Sequence, residues 1–175
     1  MDLHTLIWLF PVVFVFHDFE EIIMMEKWLV RNRATIYEKL PPKLAGRVIR
    51  QFSLSTAQFA AAVLVIFLFV SLSTFMASQY VNGGAFLGNI YMFTVLQLVF
   101  FIHVFTHVGQ SILFRSVTPG VITSVLFVLP YSALMLHELL QNDLITWHTI
   151  IICLPFVLLI LPIVLLAHWI GKRTA

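Results

Sequence analysis

The sequence predicts an all-α polytopic membrane helix bundle with five transmembrane helices, and three observations carry that prediction. Of 175 residues, 61% are hydrophobic and only 10% are charged, where a soluble domain carries about 25% charged residues. The mean hydropathy is +1.00. The apolar runs are far longer than the strands of a membrane β-barrel, and they lack its alternation of apolar and polar residues. The chain reads as one membrane domain, 1–175.

Spans are expected near 3–25, 55–78, 86–114, 119–138 and 147–170. Each is long enough for a hydrocarbon core of about 30 Å at about 1.5 Å per residue. The first runs into Met24-Met25-Glu26-Lys27-Trp28 with no cleavage-like small residues after it. It therefore reads as a retained transmembrane helix, not a signal peptide. Breakers divide the rest: Asn82-Gly83-Gly84, then Pro119-Gly120, then Gln141-Asn142-Asp143. Pro11, Pro130, Pro155 and Pro162 fall within spans and are expected to kink them. The single cysteine, Cys153, sits in an apolar run, which excludes an internal disulfide and Cys-rich metal motifs. No internal repeat of the kind that marks secondary transporters is visible.

The basic residues set the expected orientation. Lys27, Arg31, Arg33, Lys39, Lys43, Arg47 and Arg50 lie between spans one and two, Arg115 between three and four, and Lys172 and Arg173 after five. Five spans put all ten on one side and leave Asp2 and Asp143 on the other. The positive-inside rule then places the N-terminus out and the C-terminus in, in what is expected to be a bacterial inner (cytoplasmic) membrane. Within the basic cytoplasmic segment 26–54, Leu44, Val48, Ile49 and Phe52 follow Pro41-Pro42 at helical spacing. That pattern predicts a short interfacial helix; the alternative is a solvated basic loop.

Ionisable groups stand at membrane depth. His17-Asp18-Phe19-Glu20-Glu21 lies in the first span, and His17, Glu20 and Glu21 (i, i+3, i+4) share a helical face. Asp18 and Phe19 point around the helix and are not read as ligands. A charged side chain there costs at least ~2.5–3.5 kcal/mol on insertion scales, so such groups pair, bind metal, carry protons or do chemistry. In the third span His103 and His107 (i, i+4) share a face with Gln110, and two imidazoles one turn apart can hold one ion. With the expected orientation, His17 and His107 are each roughly 12 Å from the inner end of their spans. If spans one and three are neighbours, the two sets converge.

Three imidazoles with one or two carboxylates suit Zn²⁺ first, with Fe²⁺ or Mn²⁺ as alternatives. The expected ligands are His17, Glu21, His103 and His107. Glu20 is left as general acid/base, with the two glutamates exchangeable, and Gln110 is left in support. A hydrogen-bonded Glu–His network with no ligand would also satisfy these groups. An outer set, His4, His137, Glu138, Asp143 and His148, is a rival site or simply solvated surface. His168 is expected to snorkel to the inner interface, Glu26 to pair with Lys27, and Trp28, Trp147 and Trp169 to act as belt anchors.

These residues resemble the HXXEE-domain family of small integral membrane proteins. The resemblance rests on His17-Asp18-Phe19-Glu20-Glu21. It extends to His103-x-x-x-His107-Val108-Gly109-Gln110 and Pro119-Gly120-Val121-Ile122-Thr123. The family is named for its motif, so the resemblance implies a site rather than an activity. The chain is also similar in logic to the CAAX-protease-like intramembrane metalloproteases. Met25 stands where their Glu-Glu-x-x-x-Arg pattern has Arg.

The function expected from these residues is a metal-dependent integral membrane enzyme. It would hydrolyse a lipid or another hydrophobic small molecule in the inner half of the bilayer. Alternatives are a haem-binding or electron-transfer subunit, a proton-relay or transport component, or an accessory subunit. Membrane lipids are the expected partners, and no nucleic-acid binding is read.

Overall fold

The computed structural model describes residues 2–84 and 86–174, and the described residues form helices with no strand. Helix α1 is Leu3–Arg31, α2 Arg33–Lys39, α3 Pro42–Phe52, α4 Thr56–Val81 and α5 Ile90–Phe114. Helix α6 is Val121–Gln141 and α7 is Trp147–Thr174.

Local chemistry starts these helices where they start. Asp2 accepts from the backbone N–H of Thr5 at 2.8 Å and caps α1. Ser55 and Gln58 form a reciprocal capping box on α4. Asn89 caps α5 through Met92 N–H at 3.1 Å, and Arg115 ends that helix in a left-handed conformation, φ 49°. Two of the prolines inside spans, Pro130 and Pro155, lie at changes of helix type, whereas Pro11 and Pro162 lie within regular α-helix. The helix widens to a π turn over Ser124–Val128, directly before Leu129-Pro130. It tightens to 3₁₀ over Leu154–Leu159, which contains Pro155. Both adjust a hydrogen-bond ladder from which proline removes a donor.

Four helices are long and apolar enough to cross a membrane: α4, α5, α6 and α7. This corrects the expected count of five. Helix α1, at 29 residues, is longer than any of them. Its second half, however, carries Asp18, Glu20, Glu21, Glu26, Lys27 and Arg31. Large apolar side chains such as Leu68, Ile112 and Leu158 are exposed on the crossing helices, as they are when the surrounding solvent is lipid.

Helix α4 packs along α1 and along the second half of α7, and α6 packs between α5 and α1. Helices α1 and α5 meet through large side chains. Phe10 sits edge-on to Phe93 at 5.5 Å and to Phe100 at 5.4 Å, and Phe14 lies 6.2 Å from Phe100. Aromatic pairs of this kind add packing energy beyond their buried area.

The basic residues gather at one end of the bundle. There Lys172 Nζ donates to the Arg50 carbonyl at 2.8 Å, and Trp28 packs on Phe114. The expected short helix is present as α3, preceded by α2, which the sequence pattern did not reveal. Its buried stripe is Ala45 and Ile49 against Leu29 and Ile36, while Leu44 is exposed.

Two further expectations are corrected. His168 does not snorkel; it is buried between Phe52 and Phe59 and bonds Gln51 at 2.9 Å. Glu26 pairs with the start of α4 and not with Lys27. Its Oε2 accepts from Thr56 N–H at 2.7 Å and from Thr56 Oγ1 at 2.6 Å, so a negative charge meets the positive end of a helix.

Candidate metal centre

Helical spacing supplies the two halves of the site. On α1, His17 and Glu21 are one turn apart; on α5, His103 and His107 are one turn apart. The tertiary structure turns the two pairs toward each other. His17 lies 5.3 Å from His103 and 5.0 Å from His107, ring centre to ring centre. His103 and His107 are 4.2 Å apart by the same measure. One ligand atom from each of His17, Glu21, His103 and His107 falls within 4.8 Å of all the others.

The individual contacts are tight. His107 Nε2 is 2.8 Å from His103 Nε2 and 3.2 Å from Glu21 Oε1. His103 Nε2 is 4.0 Å from the same carboxylate oxygen. Ligands bound to a tetrahedral ion at about 2.0–2.2 Å lie roughly 3.3 Å from one another. The observed separations bracket that value. His17 Nε2 is buried and has no hydrogen-bond partner, as a lone pair that an ion would take does. The residues present therefore fit a divalent cation.

Exposure is uneven across the group. His17 and His107 are buried, and the Glu21 side chain is 12% exposed, whereas the His103 side chain is 39% exposed. The group is thus closed on the α1 side and open at His103.

The start of α6 forms the floor. Gly120 adopts φ +80°, and a Cβ there would lie 2.7 Å from His107 Cε1, 2.9 Å from His17 Cε1 and 3.0 Å from Glu21 Cγ. Only glycine fits both the left-handed turn and the approach to three of the four side chains. Thr118 Oγ1 adds a bond to the His107 carbonyl at 3.4 Å.

Glu20 lies outside the group of four. Its Oε1 accepts from Ile122 N–H at 3.3 Å, and its Oε2 accepts from Thr123 N–H at 2.7 Å and Thr123 Oγ1 at 2.6 Å. The carboxylate thus ties α1 to the first turn of α6. Thr123 Oγ1 in turn lies 3.0 Å from His17 Nδ1. Asp18 is buried outside the group, with Oδ2 unpartnered, and Phe19 is exposed. Gln110 is exposed and bonds none of the four; the Thr123 hydroxyl and the Gly120 backbone support the group instead. In the sequence Pro119-Gly120 reads as a breaker, and with Val121-Ile122-Thr123 it carries part of the family resemblance, but neither Gly120 nor Thr123 is marked as a site residue. The signal was the run of residues 119–123, whose glycine and threonine need the tertiary contact before they acquire meaning.

The outer set does not assemble. His137, Asp143 and His148 are exposed, and His4 bonds Ser78 at 3.0 Å. Among the described residues no second group of three or more His, Cys, Asp or Glu comes as close together.

A family model described as "Protein of unknown function with HXXEE motif" matches residues 8–135. That stretch contains all four side chains of the group together with Gly120 and Thr123. No curated protein and no solved structure matches the chain.

Proposed function

The chain belongs to the HXXEE family, and from that premise we propose that the motif is half of a divalent-metal centre in a membrane enzyme. The observation that carries the reading is the convergence of His17, Glu21, His103 and His107 within 4.8 Å. His17, His103, His107 and Glu21 are the ligands, with zinc first and iron or manganese as alternatives. This geometry favours a single ion over haem. Axial haem ligands approach from opposite faces of a macrocycle, whereas the His17 ring on α1 lies 5.3 Å from His103 and 5.0 Å from His107 on α5, steeply tilted to both and in one group with Glu21.

The reaction class we propose is hydrolysis of a lipid or another hydrophobic ester. A divalent ion held there supplies Lewis-acid polarisation of the substrate oxygen. His103 is the open edge, so substrate reaches the group beside α5 from the bilayer. Glu20 has three donors on its carboxylate, and these favour positioning over the acid/base role read from the sequence.

Helix α1 is proposed to pack against the membrane bundle of the four long apolar helices, with the basic end of the bundle on the inner side. Its polar groups face the bundle, and the basic residues collect at one end. Membrane lipids surround it, and the basic α3 rests on the inner leaflet.

Elemental analysis of the detergent-purified chain tests the reading. The expected result is one tightly held divalent ion per chain, with lipid or ester turnover that disappears on chelation and returns on addition of Zn²⁺, Fe²⁺ or Mn²⁺. A folded chain that is active without metal overturns it.

A further inference from the structure

We propose that Glu20 and Thr123 form a relay that fixes His17 as its Nδ1–H tautomer, so that Nε2 keeps its lone pair facing the group. The inference deepens the metal reading above and rests on it for its purpose, but not for its geometry.

The argument is one of hydrogen counting. A threonine hydroxyl has a single hydrogen and two lone pairs. Thr123 Oγ1 has three neighbours: Glu20 Oε2 at 2.6 Å, His17 Nδ1 at 3.0 Å and the Gly120 carbonyl at 3.4 Å. Short bonds to a carboxylate are the strongest of these, so the hydroxyl hydrogen goes to Glu20. Thr123 Oγ1 must then accept from His17, which requires hydrogen on Nδ1. Neutral imidazole carries one N–H, and Nε2 is left with its lone pair. That atom is buried and has no other partner.

Glu20 is held for this task from both of its oxygens. Ile122 N–H and Thr123 N–H donate to it at 3.3 Å and 2.7 Å, at the first turn of a helix, where a negative charge is favoured. The left-handed turn at Gly120 directs residues 121–123 toward α1. Ligating histidines commonly give their second N–H to a carboxylate or a carbonyl, and loss of such a partner costs about 10–100-fold in metal affinity. Here the carboxylate acts through an intervening hydroxyl. Glu20 and Thr123 are positioning residues, and the four-residue group touches neither substrate nor ion through them.

Nitrogen NMR of the full chain with ¹⁵N-labelled histidine, in detergent and stripped of metal, reads the tautomer directly. The wild-type protein should show His17 as Nδ1–H, Thr123→Ser should keep that signature, and Thr123→Val should lose it. Competition between the protein and a chelator for Zn²⁺ gives the second readout. Thr123→Val and Glu20→Gln should each weaken binding about 10–100-fold, with Thr123→Ser within a few-fold of wild type. An Nε2–H signature in the wild type, or unchanged Zn²⁺ affinity in Thr123→Val, overturns the relay. A wild-type chain that takes up no Zn²⁺ but shows Nδ1–H overturns the metal reading and leaves the relay standing. If Thr123→Val does not fold, the wild-type tautomer and the Thr123→Ser and Glu20→Gln affinities still decide.

Discussion

Replacing His107 by alanine is expected to lower Zn²⁺ affinity by more than ~100-fold, beyond the loss caused by removing a supporting partner. His107 is the centre of the group. Its Nε2 is within 3.2 Å of both His103 Nε2 and Glu21 Oε1, and the side chain is 3% exposed. No other described residue stands ready to take its place. Removal leaves the Glu21 carboxylate facing two imidazoles at longer range, in surroundings where charge is poorly solvated. Thermal unfolding with and without Zn²⁺ checks this. An ion that binds only the folded state raises the midpoint of the wild-type chain, and the midpoint of His107→Ala should not respond. An equal response from both proteins would remove His107 from the ligand set.

Replacing Gly120 by alanine should damage the fold and the site together. A non-glycine residue held at positive φ costs about 1–3 kcal/mol. The added Cβ would meet His107 at 2.7 Å, His17 at 2.9 Å and Glu21 at 3.0 Å. Backbone strain and displacement of three side chains of the group act together, so stability and Zn²⁺ affinity should fall in the same variant. Gly109→Ala on α5 is the matched control. A Cβ there meets nothing within 4 Å, and alanine is favoured over glycine inside a helix by roughly 0.5–1 kcal/mol. Equal midpoints and equal affinities for the two variants would show that Gly120 is not the floor of the site.

The helices were legible because their signals are local. The long apolar runs and the breakers at Asn82-Gly83-Gly84 and Pro119-Gly120 all act within a few residues. So were both halves of the site, because i, i+4 spacing on α1 and on α5 requires no knowledge of the neighbours. Other features depended on partners far away in the chain. Glu26 beside Lys27 looks like a local pair, but its partner is Thr56. His168 looks interfacial from its position near a chain end, yet Gln51, Phe52 and Phe59 enclose it. Gln110 shares a face with His103 and His107 by spacing, yet that part of α5 is uncovered. In each case a helix was assigned correctly while the surface opposite it was unknown.

The sequence by itself determined the helical membrane class, the family and four of the side chains that meet. Hydrophobic period and residue spacing are properties of one helix at a time. Only the tertiary structure decided that α1 and α5 turn their polar faces toward each other. It also decided that Glu20 reaches Thr123 instead of joining the group, and that Gly120 lies against three of the four side chains. Those outcomes depend on how α6 packs between α1 and α5, with contacts such as His17–Thr123 spanning 106 positions of the chain. No local pattern encodes such a distance, and the packed bundle is what brings its two ends together.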